Sequence, residues 1–182
     1  LNAFGSPASA ASSSTSAAGR QSPPLVKGST TAPNWVATAA AVKPSVVSVR
    51  VQGADGSGGQ GSGVILDATG RVLTNNHVVA AGSGATISVV LADGRTYKAT
   101  IVGTDPSTDL AVLAVQQPPR DLVPAAFADS SQVKVGDPVM AIGNPLGLSS
   151  TTTTGVVSAL NRPVTTAAES PEQPGQQGGA GE

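Results

Sequence analysis

The chain contains one histidine and no cysteine. Acid–base chemistry near neutral pH therefore rests on a single side chain whose ordinary pKa suits it. Thiolate catalysis, disulfide frameworks and cysteine-ligated zinc are excluded, and a metal site would have to rest mainly on aspartate oxygens. His77 stands in Thr74-Asn75-Asn76-His77-Val78-Val79-Ala80-Ala81, after a β-rich run and at the turn into a short segment of small residues. That placement anchors the ring on a rigid element with one edge free, as a general base requires. The competing reading is a structural histidine. Asp109, in Asp105-Pro106-Ser107-Thr108-Asp109-Leu110-Ala111-Val112-Leu113, is its natural partner. A carboxylate at the mouth of an apolar strand is costly unless it accepts hydrogen bonds. A histidine Nδ1–H would satisfy it, fix the tautomer and stabilise the imidazolium formed during proton transfer. Spacing alone does not pair the two, and Asp109 also fits an ordinary turn, the role expected of Asp105 before Pro106.

Two motifs are decoys. Gly56-Ser57-Gly58-Gly59-Gln60-Gly61 spells G-x-G-x-x-G, but that fingerprint works only where a helix follows and its N-terminus holds a pyrophosphate. Here a strand follows, and the expectation is a glycine-rich hairpin loop over 53–61. Asp55-Gly56-Ser57-Gly58-Gly59 holds the letters of a nucleophilic-serine motif in the wrong order, on a loop with nothing to fix a hydroxyl.

The elements that must position His77 and Asp109 are strands. All eight aspartates lie between Asp55 and Asp137, the three glutamates lie at 169, 172 and 182, and the middle of the chain is rich in Val and Thr. That composition suits pleated sheet over helix. Strands are expected at 45–52, 63–67, 71–74, 85–91, 96–104 and 110–115, with tight hairpins at Ala68-Thr69-Gly70 and Ala92-Asp93-Gly94. Six such strands suffice to close a small barrel. Two more follow at 138–143 and 151–160, and two strands do not make an independently stable sheet. One short helix is expected over 35–42, with Asn34 as its N-cap and Pro44 ending it. Trp35 is expected to pack that helix onto the barrel.

Residues 1–34 are expected to form a flexible Ser/Ala/Pro/Gly linker, and 35–119 a short helix plus the first β-barrel. Residues 120–164 supply a connector and the first two strands of a second barrel, and 165–182 a low-complexity exposed loop. Charged residues are 12% of the chain and the net charge is −1, so nucleic-acid binding is not expected. No stretch is apolar enough to cross a bilayer as a helix.

Four segments occur in order: Thr-Asn-Asn-His-Val-Val, Asp-Pro-Ser-Thr-Asp-Leu-Ala-Val-Leu, Val-Gly-Asp-Pro-Val-Met-Ala-Ile-Gly-Asn-Pro-Leu-Gly and Thr-Thr-Gly-Val-Val-Ser-Ala-Leu-Asn-Arg. Together they resemble the HtrA/Deg-type trypsin-like serine proteases of cell-envelope quality control, over residues 36–164. The resemblance implies an all-β, chymotrypsin-like double β-barrel, with the first six-stranded barrel complete and the second only begun in these residues. It implies catalytic roles for His77 as base and Asp109 as orienting acid, with no cofactor and no metal. It further implies unfolded or misfolded polypeptide substrates, assembly as a homotrimer, and an extracytoplasmic location with an N-terminal membrane anchor that this sequence does not contain. The family's nucleophile, in a Gly-Asn-Ser-Gly-Gly segment of the second barrel, has no counterpart here. The expectation is thus an N-terminal part of a protease, inactive alone and completed by a C-terminal remainder of the domain. In one version that remainder is a second polypeptide left by cleavage in the 165–182 loop. The alternative is a non-catalytic peptide-binding or scaffold module that keeps a protease-like barrel.

Overall fold

The computed structural model describes residues 33–162, except 55, 81–83, 146, 148 and 149. Nearly all of the expected 1–34 linker and the whole 165–182 loop lie outside the described residues. One helix of two turns, α1 (Trp35–Val42), precedes eight strands. These are β1 (Val46–Gln52), β2 (Gly58–Ile65), β3 (Arg71–Asn75), β4 (Thr86–Val90), β5 (Thr96–Asp105), β6 (Leu110–Val115), β7 (Pro138–Gly143) and β8 (Thr151–Val156). A single-turn helix, α2 (Asn76–Val79), interrupts them after β3.

The first six strands close into an antiparallel barrel in the order β1-β2-β3-β6-β5-β4, and β7 and β8 pair as a separate two-stranded sheet. This is the double-barrel fold with its second barrel begun. The core is built mostly of β-branched side chains on alternating positions, which suit a pleated, half-buried surface. Val47, Val49, Ile65, Val72, Val89 and Leu113 are each at most 1% exposed. Burying each such side chain fully stabilises the fold by about 1.5–3 kcal/mol.

Helix α1 begins and ends where its residues dictate. The Asn34 side chain accepts the Ala37 amide proton at 3.0 Å. Pro44 sits in the 3₁₀ turn Lys43–Ser45 that closes it. Trp35 is only half-buried and no α1 side chain is fully buried, so the helix supplies no residue to the barrel core. The connector after β6 is pinned at three points. Leu122 enters the core, the Ala125 amide donates to the Ile65 carbonyl at 2.9 Å, and Asp121 pairs with Arg95 at 2.9 Å.

Two boundaries differ from the sequence expectation by more than two residues. Strand β2 starts at Gly58, five residues early, so the loop after β1 is shorter than the 53–61 expected. Gly59, Gly61 and Gly63 stand opposite Val51, Val49 and Val47 of β1. The glycines at 61 and 63 face the core, where an added Cβ would meet Val78 at 2.6 Å and Val72 at 2.8 Å. Strand β8 stops at Val156 instead of 160. It pairs with β7 through six residues, and no second neighbour among the described residues prolongs it.

Strand β1 is buried on both faces over its first four residues. Its outer face meets the turn after β7. The Ser48 hydroxyl donates to the Pro145 carbonyl at 3.1 Å, and the Asn144 amide donates to the Ser62 hydroxyl at 2.9 Å. Ser48 and Ser62 are direct cross-strand partners. One small polar pair thus seats the β7–β8 unit on the barrel.

Candidate active site

Strands β3 and β6 run antiparallel with Asn75 opposite Leu110. That register brings the end of β3 to the start of β6, and with it two segments 32 residues apart in the chain. Helix α2 follows β3 at once. Its Val78 and Val79 belong to the barrel core, packed where Gly61 leaves room for a side chain. His77 precedes these two anchors and points out: its side chain is 71% exposed.

Asp109 collects the polar contacts of this corner. Its Oδ2 lies 2.7 Å from His77 Nδ1, and its Oδ1 accepts the His77 backbone N–H at 2.8 Å. Asn75 Nδ2 donates to Oδ2 at 3.2 Å and to the Asp109 carbonyl at 3.1 Å. The Asn76 amide donates to that same carbonyl at 3.1 Å. The Asp109 carboxyl is held below the ordinary carboxylate value, first by the hydrogen bond from the His77 amide and next by that from its ring. An ionised Asp109 makes Nδ1 the donor, which leaves Nε2 as the acceptor, exposed and open to a proton from an approaching hydroxyl.

Asp105 is not part of this group. It accepts the Ser107 amide proton at 2.9 Å and the Thr108 hydroxyl at 2.7 Å, which closes the turn between β5 and β6. The G-x-G-x-x-G letters fall on β2 and the turn before it, with a strand and not a helix after the last glycine. Asn75 is the polar residue at this corner that sequence reasoning did not single out. Two adjacent asparagines before a lone histidine were the available signal, because asparagine at a strand end seeks backbone or carboxylate partners.

A closed barrel with a histidine–carboxylate pair at its rim defines a class, and comparison with known proteins agrees. The family model of the trypsin-like peptidase domain matches residues 61–180. The serine protease PepD of Mycobacterium tuberculosis is 46% identical over 142 residues, covering 74% of this chain and 30% of PepD. The periplasmic serine endoprotease DegP of Escherichia coli is 48% identical over 118 residues, covering 61% of this chain and 24% of DegP. The solved structure of the HtrA-type protease AlgW with tripeptide superposes with a TM-score of 0.64 at 38% identity, covering 72% of this chain and 42% of that one. The chain belongs to the HtrA/Deg-type trypsin-like serine proteases. It spans less than a third of the length of PepD or DegP.

Proposed function

We propose that His77 and Asp109 are the general base and orienting acid of a serine endopeptidase whose nucleophilic serine lies on sequence beyond these 182 residues. The observation that carries this reading is the 2.7 Å contact between His77 Nδ1 and Asp109 Oδ2, made by a ring that is otherwise exposed. In the reaction, His77 Nε2 takes the proton of the serine hydroxyl as its oxygen attacks a peptide carbonyl. The imidazolium then returns that proton to the leaving amine, and water repeats the cycle on the acyl-enzyme. Asp109 stays ionised throughout, keeping the ring in one tautomer and offsetting its charge. No metal or organic cofactor enters these steps.

Residues 35–119 then form the base-bearing barrel, and 120–164 open the barrel that carries the nucleophile and oxyanion-hole amides. Unfolded polypeptides are the substrate class, a reading supported by relatives named as serine endoproteases and by a relative solved with a tripeptide. An extracytoplasmic location is supported by relatives named as periplasmic. The composition of residues 1–34 suits a tether to an N-terminal anchor.

The reading is tested on two proteins. The 182-residue chain alone should neither hydrolyse casein nor be labelled by a serine-directed phosphonate. In a protein continued through a complete second barrel, His77→Ala should abolish turnover. It should leave the melting temperature within about 3 °C, because so exposed a ring contributes little packing. Labelling of the short chain, or undiminished turnover of the His77→Ala protein, would overturn it.

A further inference from the structure

Asn75 is the N-cap residue of α2, and asparagine is a favoured N-cap because its side chain accepts a hydrogen bond from an amide two or three residues on. Here it makes no such bond. The orphan amide of His77 is satisfied instead by the carboxylate of Asp109, at 2.8 Å. The Asn75 side chain turns across the β3–β6 ladder. Its one amide nitrogen spans two acceptors of the same residue, the carbonyl and Oδ2 of Asp109, at 3.1 and 3.2 Å. An amide nitrogen carries two protons and the amide oxygen none, so both bonds demand this orientation of the group.

Asp109 needs the hold. Its φ of +54° lies in the left-handed region, which a residue with a Cβ adopts only at a cost, though aspartate tolerates it better than most. The His77 backbone amide holds Oδ1 at 2.8 Å, which restrains the carboxylate by itself. The Asn76 amide fixes the Asp109 carbonyl, but Asn75 reaches the carbonyl and the carboxylate together. It therefore sets the rotation of the side chain relative to the backbone.

We infer that Asn75 is a positioning residue for Asp109: by clamping the carbonyl and Oδ2 with one amide, it aims the carboxylate at His77 Nδ1. This rests on the proposed roles of His77 and Asp109. The amide touches neither substrate nor the reacting atoms, so its effect reaches the chemistry through the ordering of the imidazole.

The direct test is proton NMR of the 182-residue chain. A His77 Nδ1 proton held by Asp109 resonates far downfield, and because the ring is 71% exposed the spectrum is taken at low temperature to slow its exchange with water. In Asn75→Ala that signal should broaden beyond detection or move upfield, with the amide spectrum of the barrel unchanged. Asn75→Asp supplies an independent arm, being nearly isosteric, unable to donate when ionised and repelled by Asp109, and it should lose the signal as well. In a protein that carries the nucleophile, Asn75→Ala should lower kcat about ten- to hundredfold with KM little changed, as expected for misaimed catalytic geometry. A downfield proton that survives both substitutions, or a kcat within twofold of the unsubstituted enzyme, overturns the inference alone. Absence of the downfield proton from the unsubstituted chain would instead count against the His77–Asp109 pairing, and against this inference with it.

Discussion

Asp109 is one of three non-glycine residues with positive φ among those described, the others being Gln117 and Asn161. Left-handed geometry costs a side-chain-bearing residue on the order of 1 kcal/mol, and aspartate and asparagine tolerate it best. Asp109→Asn therefore keeps both the backbone conformation and the size of the side chain while changing its chemistry. An amide facing His77 Nδ1 favours the wrong tautomer, and turnover of a complete enzyme should fall by about 10⁴. The stability effect has a definite sign. Because the folded-state pKa is lowered, the unfolded chain binds more protons in the acid range. Asp109 thus stabilises the fold above the unfolded carboxyl value of about 4, and that contribution is lost as pH falls through its lower folded value. Urea midpoints of the unsubstituted chain and Asp109→Asn should differ at pH 7 and converge as pH falls from about 4 through the lower folded value of the carboxyl. A gap that stays constant over that range would show that the hydrogen bonds do not depend on the ionised form. At this scale residue type was legible and partnership was not. His77 and Asp109 stand out by chemistry, whereas their meeting depends on the β3–β6 register, and Asn75 became visible only once that register was known.

The helix carrying His77 is positioned by a strand whose residues read as a loop. Glycine is a poor strand former, so the run from Gly58 to Gly61 suggests a loop. Its alternation was the missed signal. Gly59, Gly61 and Gly63 fall on one face and Gln60, Ser62 and Val64 on the other, the period of a strand. The small face is required by what fills it. A methyl at 61 would strike both γ carbons of Val78, at 2.6 and 3.0 Å, and a methyl at 63 would strike Val72 at 2.8 Å and the Leu73 carbonyl at 3.0 Å. Gly63→Ala should destabilise the barrel by about 1–3 kcal/mol through overpacking. Gly61→Ala should also shift α2 and so carry His77 away from Asp109, lowering kcat beyond what its urea midpoint accounts for. Gly103, at the β5 bulge, has open space around its Cβ direction and an ordinary φ. Gly103→Ala should lie within about 1 kcal/mol of the parent and leave kcat unchanged. The same physics explains which elements were legible. Alternating valines and Asp-Gly turns declare themselves locally, as did the Asn34 cap. A strand of glycines is specified by its neighbours.

Across the whole molecule, the barrel and the β7–β8 sheet are unequal partners. The barrel is closed and owns the core. In β8 all six residues are exposed, and Val135, Val139, Val156 and Leu160 present apolar surface around the hairpin. A two-stranded sheet is marginally stable by itself. Its described side-chain ties to the barrel are the Ser48 and Ser62 hydroxyls on the turn at Asn144 and Pro145. Asn144 in that turn is buried yet incompletely satisfied, since it is 4% exposed and its Oδ1 has no hydrogen-bond partner among the described residues. Under the proposed function these apolar residues are the face that the rest of a second barrel covers, so in the 182-residue chain the two units should open independently. Hydrogen exchange should resolve them. Amides of β1, β3 and β6 should exchange only through global unfolding, whereas those of β7 and β8 should exchange at least about a thousandfold faster through local opening. Ser62→Ala removes the acceptor of the Asn144 amide, and should speed exchange in β7 and β8 further while leaving the barrel amides unchanged. Equal protection in both units would mean that the hairpin is as firmly held as the barrel, and that the Ser48–Ser62 seat suffices without a second barrel. Protection that appears in β7 and β8 only when a longer chain is examined would tie their order to the segment expected to bring the nucleophile to His77.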